Sequence, residues 1–312
     1  MADFSVFGAR RFLILRAPFL LAPSLTSWLL RAQEADPVIS VDTHLVVLQV
    51  SVRDAKGHIV PGLGKESFHV REDGRAEAVS LFTNEDVPVA AGLVIDNSGS
   101  MRDKISDVTA AAMEFARASN PLDQIFVIHF NEHVKVDPAD GGLLASSAVD
   151  VEKALDSVAP DGETALYDAI DAGLGRLKKS DRERKVLILI SDGGDDASHH
   201  RLEEVVQDAR ASDATIYTIG LFDEENPDRN PGLLRRLARL TGGEAFLPRT
   251  HTEIVEACRK IASDVRAQYT IGYSPSNRAL DGRYRNIQLT AVDRAGMRLS
   301  VRTRQGYLAP RR

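Results

Sequence analysis

Asp96, Ser98 and Ser100 stand at alternate positions directly after the apolar residues 92–95. A continuous apolar run bounded by polar turn residues is the pattern of a strand buried on both faces. The amphipathic stretch that follows, residues 104–118, predicts a helix. The three oxygen-bearing side chains therefore fall on a loop at the carboxyl end of a buried strand, where open α/β sheets place their ligands. Oxygen donors there suit a hard cation, Mg²⁺ or Mn²⁺, which prefers near-octahedral oxygen coordination and keeps part of its water. The pattern alone is weak, because Ser98 and Ser100 would serve as well to cap the helix.

Two further segments repeat the setting. Residues 161–170 begin as a polar turn, Asp-Gly-Glu-Thr, that opens a helix, and the apolar strand 186–190 ends in Ser191-Asp192-Gly193. Thr164 and Asp192 each lie at the mouth of a loop. In order, spacing and context, Asp96, Ser98, Ser100, Thr164 and Asp192 resemble the metal-ion-dependent adhesion site (MIDAS) of von Willebrand factor type A (VWA) domains. The resemblance implies that Ser98, Ser100 and Thr164 bind a cation through their hydroxyls, with Asp96 and Asp192 mostly behind water. Mg²⁺ or Mn²⁺ held this way keeps an open position for an Asp or Glu carboxylate of a protein partner, and a nearby helix N terminus favours the same anion.

The expected function is metal-dependent adhesion, with no enzymatic activity. A metal-assisted hydrolase and a scaffold or assembly subunit of a cell-envelope complex are the alternatives. The hydrolase is disfavoured because the sequence has no Gly-x-Ser-x-Gly or Cys/His arrangement. Asp168, one helical turn past Thr164, is a candidate supporting residue. Asp195, Asp196, His199 and His200 read as a solvated loop that could also line the rim or hold a second ion. His129, inside an apolar strand, reads as a hydrogen-bonded core histidine. Arg235, Arg236 and Arg239 read as the solvated face of a helix, and Cys258, the single cysteine, as a small buried apolar side chain.

Strands and helices alternate between residues 87 and 266, which specifies a doubly wound, mostly parallel sheet with helices on both faces. Expected helices cover 104–119, 149–158, 166–177, 200–212, 232–240 and 253–265. Expected strands cover 124–130, 186–190, 215–220 and, at an edge, 244–247. Residues 38–86 and 267–310 alternate with period two instead, predicting strands at 45–52, 68–72, 76–82, 268–273, 285–292 and 298–302. Too few strands stand on either side to fold alone. Together they number about six or seven, as in an immunoglobulin-like sandwich. The expectation is thus a split β-sandwich (38–86 and 267–310) carrying the VWA domain (87–266) as an insertion. The segments Thr164-Ala165-Leu166-Tyr167-Asp168, Thr241-Gly242-Gly243 and Arg304-Gln305-Gly306-Tyr307 are similar to an exported bacterial branch of VWA-related proteins.

The composition, 43% hydrophobic and 27% charged over 312 residues, is that of a globular protein. A net charge of −6 disfavours nucleic-acid binding, which needs a concentrated basic surface. Residues 1–32 differ from the rest. Arg10 and Arg11 precede an apolar region at 12–30, broken by Arg16, and Ala32 follows. This is the form of a secretory signal cut after Ala32, with an uncleaved anchor as the alternative, and it predicts export to the periplasm or medium and no membrane insertion once it is cut.

Overall fold

The computed structural model describes residues 45–139, 142, 144–145, 148–155, 160–222 and 229–311. The leader expectation at 1–32 lies outside them. No helix among the described residues is long and apolar enough to cross a membrane.

Four strands come first: β1 (Val46–Arg53), β2 (Phe68–Glu72), β3 (Arg75–Glu77) and β4 (Val79–Thr83). The α/β region follows with β5 (Val89–Asp96), α1 (Ile105–Ala118), β6 (Gln124–Phe130), β7 (Val134–Asp137), β8 (Leu144–Ala145), α2 (Ala148–Leu155), α3 (Leu166–Lys178) and β9 (Arg184–Ser191). It continues with α4 (Leu202–Ala211), β10 (Thr215–Gly220), α5 (Pro231–Thr241), β11 (Ala245–Phe246) and α6 (His251–Arg266). Four strands close the chain: β12 (Tyr269–Tyr273), β13 (Tyr284–Ala291), β14 (Ser300–Arg302) and β15 (Gly306–Leu308).

All eight residues of β5 are buried, because helices cover both faces of its sheet. The order is β11-β10-β9-β5-β6-β7, with β8 also on β6. Pairing is parallel from β11 to β6, and β7 and β8 run antiparallel to β6. Val89, Ala91, Leu93 and Ile95 pack with α1, α2 and α6, whereas Ala90 and Val94 pack with α3, α4 and α5. Strand order reverses at β5, since β6 adds on one side and β9 on the other. The carboxyl ends of β5 and β9 therefore flank the crevice where such sheets bind ligands.

The remaining strands form two four-stranded antiparallel sheets, β14-β1-β12-β4 and β15-β13-β2-β3. Each takes strands from both sides of the α/β region. Leu48, Val50, Phe68, Val70, Tyr269 and Ile271 belong to one core shared by the two sheets. Two expectations are corrected. The single strand expected over 76–82 is two: β3 closes a hairpin on β2 through Asp73 and Gly74, both at positive φ, and β4 joins the other sheet. The hairpin expected between 285–292 and 298–302 is a corner. After one bridge, Val292 to Arg298, β14 crosses to pair with β1.

Candidate metal centre

Asp96 ends β5 and is fully buried. Its Oδ1 accepts from the Ser98 N–H at 3.0 Å and its Oδ2 from Ser191 Oγ at 2.6 Å. Burial pushes its carboxyl up to about 6, against the lowering effect of the Ser191 and Ser98 hydrogen bonds. The negative charge of Asp192 adds to the rise.

Ser98 sits at the start of a 3₁₀ turn, Gly99–Lys104, yet its side chain makes no capping hydrogen bond. The capping alternative is therefore not what occupies this hydroxyl. Ser98 Oγ lies 3.2 Å from Ser100 Oγ, and Ser100 Oγ donates to Asp192 Oδ2 at 2.9 Å. Asp192 is held from behind by the Gly194 N–H on Oδ1, at 3.1 Å, and by the Asn230 N–H on its carbonyl, at 2.9 Å. Gly193, between them, has φ +83, where any side chain is strained.

Thr164 is bonded through its backbone to the loop after Asp192. Its N–H donates to Asp196 Oδ1 at 2.6 Å, and its carbonyl accepts from the N–H groups of Asp196 and Ala197. The preceding turn is stitched to the first loop: the Gly99 N–H donates to Gly162 O at 3.0 Å and the Asp161 N–H to Asn97 O at 2.9 Å. Asp96, Ser98, Ser100 and Asp192 are thus joined side chain to side chain or through one backbone N–H, and the turn before Thr164 is bonded to the same loop.

The neighbouring acids act as staples. Asp195 Oδ1 accepts from the Tyr167 N–H at 3.1 Å and from Ser198 Oγ. Asp168 accepts from the N–H groups of His199 and His200, and its oxygens lie 3.0 and 2.7 Å from their Nδ1 atoms. Those hydrogen bonds outweigh its partial burial and hold its carboxyl below the ordinary range, while the same pairing raises His200. Asp168 therefore fixes the loop after Asp192. His129 is the hydrogen-bonded core histidine expected, with Nδ1 3.1 Å from Asn97 Oδ1 and Nε2 2.8 Å from Ala154 O. The roles of Ser191 and Asn97 were not anticipated. Their only sequence signal is adjacency to Asp192 and Asp96.

The donors here are two carboxylates and three hydroxyls, all hard oxygen. Among the described residues no group of three or more His, Cys, Asp or Glu could hold a metal. Asp96 is raised chiefly by burial, with the charge of Asp192 adding to it, and a nearby cation would oppose both. The residues fit a hard divalent ion.

A mostly parallel, doubly wound sheet with oxygen-bearing side chains at its strand-order reversal defines an α/β protein of the doubly wound class. The chain belongs to the von Willebrand factor type A domain family, whose family model matches residues 92–257. No curated relative matches the sequence. Among solved structures, the von Willebrand factor type A protein of Catenulispora acidiphila is 16% identical, with a TM-score of 0.52 over 84% of this chain and 74% of that one. The vWF domain of the type V pili tip protein of Porphyromonas gingivalis is 13% identical, with a TM-score of 0.47 over 57% of this chain and 95% of its own. Proximal thread matrix protein 1 of the mussel byssus, with zinc in its MIDAS motif, is 15% identical, with a TM-score of 0.49 over 62% and 50%. At these identities the likeness is one of fold.

Proposed function

We propose that the chain is a metal-dependent binding module which captures a protein partner by an Asp or Glu side chain. Ser98, Ser100 and Thr164 hold the cation by neutral hydroxyls, and Asp96 and Asp192 support it from behind water. The observation that carries this reading is the line Ser98 Oγ, Ser100 Oγ, Asp192 Oδ2, with steps of 3.2 and 2.9 Å at the ends of β5 and β9. A bound Mg²⁺ or Mn²⁺ supplies a positive charge, little neutralised by its hydroxyl ligands, with a position open to a carboxylate. The site reads as binding and not catalytic because its acids are engaged. Asp96 is bonded to Ser191 and Ser98, and Asp195 and Asp196 to backbone N–H groups of the 164–167 turn.

The two antiparallel sheets are, in the same proposal, one split immunoglobulin-like sandwich from which the VWA domain (87–266) is displayed. Support comes from each sheet drawing strands from both flanks. Export to the periplasm or medium rests on the leader pattern at 1–32. The test is calorimetric titration of Mg²⁺ and Mn²⁺ into the purified chain. Binding is expected for the wild type and strong weakening for Asp96→Ala and Thr164→Ala. Absence of binding at millimolar ion would end the proposal.

A further inference from the structure

Thr164 stands just before α3, and its turn is bonded to both loops that carry the other four residues of the proposed cation site. Towards the first loop, the Gly99 N–H donates to Gly162 O and the Asp161 N–H to Asn97 O. Towards the loop after Asp192 the bonding is reciprocal. The Thr164 N–H donates to Asp196 Oδ1 at 2.6 Å, and the N–H groups of Asp196 and Ala197 donate to Thr164 O at 3.0 and 3.1 Å. Asp196 takes part in both directions of that clamp, with its side chain as acceptor and its backbone as donor.

The start of α3 is closed by the same loop. Its N-cap position is Ala165, which makes no side-chain capping bond. Instead the Tyr167 N–H donates to Asp195 Oδ1 at 3.1 Å and to Ser198 Oγ at 3.0 Å, and the Asp168 N–H to Ser198 Oγ at 3.2 Å. A threonine beside a helix start ordinarily turns its oxygen to the first N–H groups. With those taken by Asp195 and Ser198, the Thr164 hydroxyl makes no hydrogen bond among the described residues. Thr164 is therefore fixed through its backbone, and its hydroxyl is left for a ligand. Asp196 is exposed, and a surface carboxylate gains order only from a bond such as the one it makes to the Thr164 N–H.

We infer that Asp196 is a positioning residue for the proposed cation site: by fixing the Thr164 backbone it presents the Thr164 hydroxyl alongside Ser98, Ser100 and Asp192. The inference rests on the proposed function for the cation, whereas the clamp exists without one. Asp196 acts through Thr164 and is not itself a ligand, so what it supplies is an acceptor and not a charge.

The full chain is titrated calorimetrically with Mn²⁺ as wild type, Asp196→Ala and Asp196→Asn, and hydrogen exchange of residues 161–168 is followed by mass spectrometry in EDTA. Asp196→Ala is expected to weaken Mn²⁺ about tenfold and to speed exchange of the segment with no metal present. Asp196→Asn keeps an oxygen acceptor for the Thr164 N–H while removing the charge, so it should restore slow exchange and most of the affinity. Unchanged Mn²⁺ affinity in Asp196→Ala would overturn the inference, because a role confined to stability moves the exchange alone. Equal losses in the alanine and asparagine variants would overturn it as well, since Mn²⁺ would then be responding to charge. Unaltered exchange in Asp196→Ala would remove the clamp on which it stands. A wild type that binds no Mn²⁺ would end this inference together with the proposed function, whereas wild-type binding with any of the three other results ends this one alone.

Discussion

Ser100 Oγ donates to Asp192 Oδ2 at 2.9 Å, joining two loops 92 positions apart in the chain. The hydroxyl belongs to an exposed residue and the carboxylate to one only 1% exposed, so Ser100 carries the charge of Asp192 outward to the cleft. Residues that share a hydrogen bond and a ligand do not act independently. Asp192→Asn alone is expected to weaken Mn²⁺ about tenfold to a hundredfold. The double variant Ser100→Ala/Asp192→Asn should lose less than the two single losses combined, with a coupling of about 0.5–3 kcal/mol. Calorimetric affinities of the four proteins give the cycle, and strict additivity would show that the pair does not work together at the site.

Gly193 bears on the same loop. At φ +83 a Cβ there would meet the Asn230 carbonyl oxygen at 2.7 Å, so Gly193→Ala combines left-handed strain with a backbone clash. Gly296, at φ +80 with nothing within 4 Å, isolates the strain alone. Gly296→Ala should cost about 1–2 kcal/mol of unfolding free energy. Gly193→Ala should cost more and also lower Mn²⁺ affinity, because the Asn230 N–H bond to Asp192 is displaced with it. Urea unfolding in EDTA compares the two. Equal costs would mean that the loop relaxes around the methyl group.

The order of the α/β region was legible because its strands are buried on both faces. Val89 to Ile95 is apolar without a break, and such a run has no competing helical reading at that length. The residues expected at the site stand out for a related reason: Asp96 ends one such strand with Ser98 and Ser100 just beyond, Asp192 follows another, and Thr164 precedes a helix. What escaped was pairing over distance. Nothing local marks Ser191 as the partner of Asp96, or Asn97 as the partner of His129, because each bond is made only when β5, β6 and β9 lie side by side. The strand break at Ala78 was hidden because period-two alternation continues while the chain changes sheets. Residues 306–308, too short to alternate, become β15 only against β13.

Cys258 should be inert in the native chain. It is 1% exposed, and burial, with the charge of Glu114 behind it, pushes the thiol up to about 12. The folded value lies above the unfolded one. The thiol's contribution to stability is therefore complete below the unfolded value and is lost as pH climbs toward about 12. A disulfide-exchange reagent at about pH 8 is expected to label nothing in native buffer and one thiol per chain in urea. From there upward, unfolding free energy should fall more steeply in the wild type than in Cys258→Ala. Rapid native labelling would place the thiol at the surface.

Asp264 joins the α/β region to the antiparallel sheets. It lies on α6, 2% exposed, and accepts from Ser51 Oγ at 2.9 Å, Tyr217 OH at 2.6 Å, Arg53 Nη2 at 3.0 Å and Arg302 Nη2 at 2.8 Å. Ser51 and Arg53 come from β1, Arg302 from β14 and Tyr217 from β10, so one carboxylate ties α6 to three strands. Removing it leaves Arg53 and Arg302 with Glu244 as the one carboxylate beside them among the described residues, 4.0 Å from Arg53 and already bonded to Arg302. A buried pair broken on one side costs about 3–5 kcal/mol, most of it from the charge left behind. Asp264→Ala is expected to lose about that much unfolding free energy, and Asp264→Asn, which keeps an acceptor for Ser51 or Tyr217, to lose less. Because the lost bonds bridge the two regions, calorimetric melting that is a single transition in the wild type should broaden or split in Asp264→Ala. An unfolding free energy within about 0.5 kcal/mol of wild type would mean that the apolar contacts alone hold the sheets and the α/β region together.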